Sequence, residues 1–336
     1  MPEVTVIIPV YNAAPWLLDS LNSVLSQPLR NIELICVDDG STDGSGAILA
    51  KYALGDSRVR VLSQANAGLG AARNAGLAVA RGRYVVFLDA DDELSGGDAL
   101  SGVVHDMDQR RLDVLFFDAD TSFDPGCECF RKVVPSSYYI RKRDYSKVRS
   151  GIEMFHDMSI HDEFVISACL MGLRRDFMES RKLRFREGIL HEDNIFVLEV
   201  ILAAERVAHV PIRPYLRRVR NGSIMTSPLT LQHLRGCLVS WKYTVDMMSR
   251  GQVPSAISSV WKKWSVFYRW RVRNIARQLP ESMESIAQKL APDEAVAFHE
   301  ALEYPFREKI LNGIRCLKDN GFLFTVRRIL LGTPKA

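Results

Sequence analysis

The chain is 336 residues long, with 47% hydrophobic and 25% charged residues, proportions that exclude a disordered or fibrous protein and leave room for one large domain with an appendage, or for two. Its formal net charge of +4 is too small to imply a nucleic-acid partner. The six cysteines, Cys36, Cys127, Cys129, Cys169, Cys237 and Cys316, are scattered, which fits a reducing compartment better than a disulfide framework. Cys127 and Cys129 form a C-x-C without a second pair, a poor zinc pattern. The chain enters a strand-like run at once, without a basic and apolar cleavable leader. No apolar run nears the roughly 18 residues that span a bilayer. The expectation is a cytoplasmic protein, free or peripheral at the inner face of the cytoplasmic membrane.

In chain order, Val4 to Ile8 is a strand-like run ended by Pro9, and Trp16, Leu17, Leu18, Leu21, Val24 and Leu25 mark one face of a helix. Ile32 to Val37 is a second strand, followed by Asp38 to Asp43, a turn rich in capping residue types. Ala47 to Tyr52 predicts a helix, Val59 to Leu62 a strand, Leu69 to Ala80 a helix and Tyr84 to Leu88 a strand apolar throughout. Alternation of helices with buried strands predicts a mainly parallel α/β sheet. Beyond residue 112, Asp113 to Phe117 reads as a strand, 118–150 as loop with a hairpin, and Gly151 to Met158 as a helix. Phe185 to Ala204 carries His191-Glu192-Asp193 and then an apolar helical pattern, and from about residue 228 the pattern is helical with prolines as breaks.

Ligands of such sheets bind beyond the carboxyl ends of the strands. Three polar clusters follow strands here: Pro9-Val10-Tyr11-Asn12, Asp38-Asp39 and Asp89-Ala90-Asp91-Asp92. Crowded carboxylates repel one another unless a cation or solvent compensates, and hard oxygen ligands suit Mg²⁺ or Mn²⁺. A solvated acidic turn is the plain alternative; placement after an apolar strand, beside Asp38 and Asp39, favours the cation. Those two acids suit a base or ribose, although Ser41-Thr42-Asp43 alone would cap the next helix. Asn66 to Gly76 holds a G-x-G but lacks the full dinucleotide-binding spacing. Arg73 within it reads equally as a diphosphate ligand, a support for the aspartates or a structural ion pair.

Val6 to Asn12, Val37 to Asp43, Asn66-Ala67-Gly68 with Ala72 to Gly76, and Phe87 to Asp92 together resemble, in order and spacing, family 2 glycosyltransferases. The resemblance is strong over about residues 3–95 and looser to about 225. It implies the GT-A fold, a Rossmann-like, mainly parallel sheet flanked by helices, with catalytic residues 1–225 divided into a donor-binding half (about 1–112) and an acceptor-side half (113–225). It also implies a nucleotide-sugar donor, UDP by frequency, a divalent metal and inversion at the anomeric carbon. Carried onto this sequence, Pro9, Tyr11, Asn12, Asp38, Asp39, Asn66, Gly68, Arg73, Asp89 and Ala90 would bind the donor, Asp91 chiefly and Asp89 the metal, and Asp193, or Glu192 as second choice, would be the base. Without the upstream motifs, Glu192 and Asp193 read as plain helix-start acidity.

Tyr215 to Ile224 resembles a Tyr-x-Arg…Ser-Ile stretch of polysaccharide-assembly members, in which Arg217 and Arg220 would close over the diphosphate; a basic solvent loop is the alternative. The acceptor implied is a polysaccharide or lipid-linked saccharide. Charge divides unevenly: residues 1–100 carry seven Lys/Arg against twelve Asp/Glu, and 241–280 eight against one. Basic, aromatic segments at 261–277 and 322–331 within the helical 226–336 region suit an anionic membrane surface, or else pack as a subdomain. Two rivals are a sugar nucleotidyltransferase, which should show a basic, Gly-rich N-terminal loop where Pro9-Val10-Tyr11-Asn12 stands, and a non-catalytic nucleotide-sugar-binding scaffold, which would lack Asp91 or the Glu-Asp pair.

Overall fold

Four strands, β1 (Val4–Val10), β2 (Ile32–Asp38), β3 (Val59–Ser63) and β4 (Tyr84–Phe87), lie parallel in the order β3-β2-β1-β4 in the computed structural model, which describes residues 1–132 and 134–303. Val6 stands between Leu34 and Val86, and every residue of β1 and β4 is buried. Strands covered on both faces are built mainly from apolar residues; the polar exception, Thr5 of β1, donates its hydroxyl to Glu33 Oε1 at 2.7 Å. Helices α1 (Ala14–Leu25), α2 (Ser45–Gly55) and α3 (Leu69–Val79) make the crossovers. Three parallel neighbours therefore end side by side, and their polar C-terminal turns share one edge of the sheet, as the alternation predicted.

The second half departs from a simple repeat. After β5 (Glu93–Leu94) and α4 (Ala99–Arg110) come β6 (Val114–Phe116), β7 (Ala119–Phe123), α5 (Gly151–Ile160), β8 (Met171–Arg174), α6 (Arg175–Ser180), α7 (Asp193–Ala203), β9 (Val207–His209) and β10 (Tyr215–Val219). The large sheet has seven strands, β3-β2-β1-β4-β8-β6-β9, with β8 antiparallel to both of its neighbours. The short β8 carries no legible alternation. Its Gly172 lets α4 close on the sheet, because a Cβ there would stand 2.8 Å from Val103 and 3.0 Å from Met107. The expected hairpin within 118–150 does not form. Instead β7 pairs in parallel with β10, which also pairs antiparallel with β5, making a separate three-stranded sheet.

The C-terminal helices are α8 (Leu231–Ser249), α9 (Ser258–Gln278), α10 (Met283–Gln288) and α11 (Pro292–Glu303). Trp261, Trp264 and Tyr268 of α9 are buried. The Trp264 indole donates to Ser159 Oγ at 3.2 Å and its ring meets Phe164 edge-on, while the Trp261 indole donates to the Thr244 carbonyl. Lys263 is tied to Asp162. These aromatics pack inward as a helical layer, so they do not serve as membrane anchors, and the segment 322–331 lies outside the described residues. Among the described residues no helix is long and apolar enough to cross a membrane.

The acceptor-side half is held to α7 through a close helix contact. Ser150 and Glu153 form a capping box at the start of α5, and a Cβ on Gly151 would come within 1.7 Å of the Ile201 carbonyl oxygen. Gly151→Ala is therefore expected to destabilise the protein by about 1–3 kcal/mol. A thermal melt should show this as a drop of about 2–4 °C or more; an unchanged midpoint would mean that α5 and α7 separate at little cost.

Candidate active site

The turns after β1 and β2 are knitted by side chains. Asn12, in the left-handed region at φ 49°, accepts from the Thr42 amide at 2.8 Å, and its own amide donates to Ser41 Oγ. Asp43 caps locally, accepting from the amides of Ser45 and Ala14. Asp38 accepts from the Ser41 amide. Buried Asp39 accepts from Gln64 Nε2 and from the amides of Ala67 and Gly68, each at 2.8 Å. Asp39 thus fixes the loop that leads into α3, and Gly68 enters that helix at φ 91°. Pro9 lies within β1 opposite Val37, and Tyr11 is exposed. Asn66 is exposed, and Gly40 beside it must be glycine, because its φ is 76° and a Cβ there would stand 2.9 Å from the Asn66 amide nitrogen.

The acidic turn after β4 divides among three arginines. Arg73 is buried within α3 and donates to Asp89 Oδ1 at 2.8 Å and to Glu192 Oε1 at 2.5 Å. Its guanidinium carbon lies 5.2 Å from the Phe185 ring centre. Burial works against this charge, but Asp89, Cys169, Glu192 and Asp193 outweigh it and raise the Arg73 pKa. Asp91 Oδ2 accepts from Arg220 Nε at 2.6 Å, and that guanidinium stacks 3.9 Å over Trp16. Asp92 is buried, with Oδ2 on the Tyr215 hydroxyl at 2.6 Å and Oδ1 on the Arg218 amide at 2.7 Å. Burial pushes its carboxyl up to about 8, against the pull of Arg217 and with repulsion from Asp91 and Asp89 adding to the rise. Ala90 is buried between these acids.

Strand β10 brings its arginines to different ends. The Arg218 side chain clasps Asp19, Glu93 and Asp124. Arg217 lies 5.4 Å over the Tyr139 ring, in the field of Asp92 and Asp89, and no other described residue hydrogen-bonds its guanidinium. Its donors are free for an anion.

Glu192 and Asp193 open α7 beside this cluster. Glu192 is buried on Arg73. Burial, resisted by Arg73 and reinforced by Asp193, pushes its carboxyl up to about 7. Asp193 is partly exposed, and among the described residues no other residue's group hydrogen-bonds its carboxylate. Burial raises its pKa, with Arg73 and Arg217 opposing and Asp89 adding. The structure therefore joins Arg73, Asp89, Glu192 and Asp193 in one network, with Asp91, Arg217 and Arg220 beside it.

A metal has two carboxylate oxygens available, Asp89 Oδ2 and Asp91 Oδ1, neither of which accepts a hydrogen bond among the described residues. No group of three or more His, Cys, Asp or Glu side chains placed to hold a metal ion occurs among those residues. The donor set fits a hard cation that completes its shell with phosphate and water, not an all-protein cage. Sequence reasoning overlooked Cys169, whose thiol lies 3.5 Å from Asp89 Oδ1, and Trp16 and Tyr139, the rings under the arginines. Each comes from an element with no motif of its own.

The protonation of Glu192 has a thermodynamic consequence. Between the unfolded value, about 4.3, and about 7, the folded chain holds a proton that the unfolded chain has released. Stability from this group is therefore full below the unfolded value and falls as pH rises through the folded one. Between about pH 5 and about pH 8 the wild-type melting temperature should drop more than that of Glu192→Gln, whose amide oxygen still accepts from Arg73. Parallel curves for the two proteins would place the proton elsewhere.

Residues 5–177 match the family profile of glycosyl transferase family 2. The chain is 32% identical over 232 residues to the uncharacterized glycosyltransferase EpsJ of Bacillus subtilis, covering 68% of this chain and 64% of that protein. It is 29% identical over 236 residues to the succinoglycan biosynthesis protein ExoO of Rhizobium meliloti, covering 70% and 65%. The chain thus spans just under two thirds of the length of these relatives. Among solved structures, TarS of S. aureus in complex with UDP-GlcNAc superposes with a TM-score of 0.60 at 19% identity, over 90% of this chain and 80% of that one. The mannosyltransferase PcManGT of Pyrobaculum calidifontis, in complex with GDP-Man and Mn²⁺, gives 0.57 at 17%, over 98% and 87%. Identities this low show shared architecture, the GT-A fold. The profile covers half of the chain and includes the turns that end β1, β2 and β4, and on that ground the chain belongs to glycosyl transferase family 2.

Proposed function

We propose that this chain transfers a sugar, with inversion, from a nucleotide sugar to a hydroxyl of a polysaccharide or lipid-linked saccharide, and that Asp193 is the base. The observation that carries the reading is the Asp193 carboxylate. It is partly exposed at the start of a helix, beside the strand-end acids, and among the described residues no other residue hydrogen-bonds it. A helix start favours its ionised form, and the upward shift from burial makes it a better proton acceptor near neutral pH. UDP as the donor nucleotide is supported by the UDP-GlcNAc bound to TarS, and a polysaccharide acceptor by the role named for ExoO.

In this mechanism the acceptor oxygen forms its bond to the anomeric carbon as the bond to the diphosphate oxygen breaks on the opposite face, and Asp193 takes the hydroxyl proton. Arg217 offers its free donors to the diphosphate. Arg73 keeps Asp89 and Glu192 in register, so that the base and the donor site stay aligned. Mn²⁺ or Mg²⁺, held by Asp89 and Asp91, would neutralise charge on the leaving nucleoside diphosphate.

Calorimetry with UDP, GDP and dTDP, with and without Mn²⁺, tests the donor half. One nucleotide should bind in a metal-dependent way and be lost in Asp91→Ala; no binding to folded protein would favour the non-catalytic scaffold. Asp193→Asn should keep that binding and lose turnover by about 10²–10⁴-fold, and retained transfer would move the base elsewhere. Docking on an anionic membrane, suited to a lipid-linked acceptor, has to rest on the exposed Lys262, Val266 and Arg277 of α9. Flotation with anionic vesicles should recover the protein at low salt, and protein left at the bottom of the gradient removes the docking reading.

A further inference from the structure

The turn that carries Glu192 and the proposed base, Asp193, is gripped by a helix that lies beyond the family match. Helix α8 passes so close to the segment before them that a Cβ on Gly236 would stand 1.9 Å from the Leu190 carbonyl oxygen. One turn further along the same face, Ser240 Oγ accepts from Asn194 Nδ2 at 3.2 Å and donates to the Gly236 carbonyl at 2.7 Å. Leu190 precedes and Asn194 follows His191-Glu192-Asp193, so α8 holds both flanks. His191 between them is in the left-handed region at φ 62°, a conformation that costs a non-glycine residue energy and persists only where surrounding contacts impose it.

We infer that α8 belongs to the active site: Gly236 and Ser240 are positioning residues that set the Glu192-Asp193 turn. This rests on the reading of Asp193 as the base. Helix α8 is then a wall of the active site as well as part of an appendage. Ser240→Ala removes the hold on Asn194, and Ser240→Thr keeps a hydroxyl there.

The test measures nucleoside diphosphate release from a set of UDP- and GDP-hexoses by the full chain, with nucleotide affinity and thermal stability measured alongside. Ser240→Ala should lower kcat about tenfold with the nucleotide Kd and the donor KM unchanged and the melting temperature down by only about 2–4 °C, and Ser240→Thr should restore kcat. Wild-type kcat in Ser240→Ala, alongside an inactive Asp193→Asn, overturns this inference and leaves the base in place. An active Asp193→Asn, or a wild type that turns over none of the donors, overturns the reading beneath it and this inference with it. A loss of kcat that comes with a larger loss of melting temperature and is not restored by threonine reduces α8 to packing.

Discussion

The Arg73 guanidinium is the interaction on which the rest of the site depends. It is buried in α3, yet it reaches Asp89 at the end of β4 and Glu192 before α7. A charge taken out of water is tolerated only with well-placed partners, and removal of one partner from such a pair typically costs about 3–5 kcal/mol. The register of three elements is therefore coupled: a shift of α3, β4 or α7 would strand a charge. The same pairing separates the acids by role. Asp89 is drawn below the usual carboxylate range by Arg73 and Arg217 against its burial, while Glu192 and Asp193 are raised. Neighbouring carboxyls with pKa values pushed apart suit the acid–base chemistry proposed for this site.

The small sheet solves a second problem, the placement of positive charge over that cluster. Side chains along a strand alternate between faces. In β10 this puts Tyr215 and Arg217 toward Asp92 and Asp89, whereas Arg218 turns to Asp19, Glu93 and Asp124 and fastens the strand to α1, β5 and the end of β7. One arginine serves attachment so that its neighbour stays available. Arg220, just past the strand, neutralises Asp91 and rests on Trp16. If the diphosphate binds here as proposed, it meets cations already positioned and partly desolvated, which strengthens each contact relative to water.

What was legible in the sequence follows from how local its cause is. The parallel core was readable because β1, β2 and β4 are buried on both faces and each helix is bounded by capping or turn residues. The strand-end acids were readable because buried strands end in carboxylates only where something compensates them. The β7–β10 pairing and the insertion of β8 were not, since both are set by contacts between distant segments, and Gly172 signals a close approach without naming its partner. The same holds for roles within the motifs. The hydrogen bonds by which Asp39 and Asn12 hold the 64–68 and 41–42 loops are likewise not readable from the motifs. Arg73 read three ways from sequence, and the ion pairs with Asp89 and Glu192 show it supporting the acids.

The C-terminal helices press this lesson furthest. Their aromatic and basic residues suggested a surface laid on a membrane, because a sequence shows composition and spacing but not which face is already occupied. Most of the stripe packs on α5 and into the contact between α8 and α9. Lys262, Val266 and Arg277 of α9 remain exposed, and the glycine that lets α8 approach Leu190 lies on a helix with no recognisable motif. A helix can cross this closely only where a side chain is missing, so Gly236 records a constraint imposed from the other side of the contact. If the base has to be held within a fraction of an ångström of the acceptor oxygen, the elements that hold it belong to the active site wherever they fall in the chain. A division of this protein into a catalytic part and a tail at residue 225 would then cut through the active site itself.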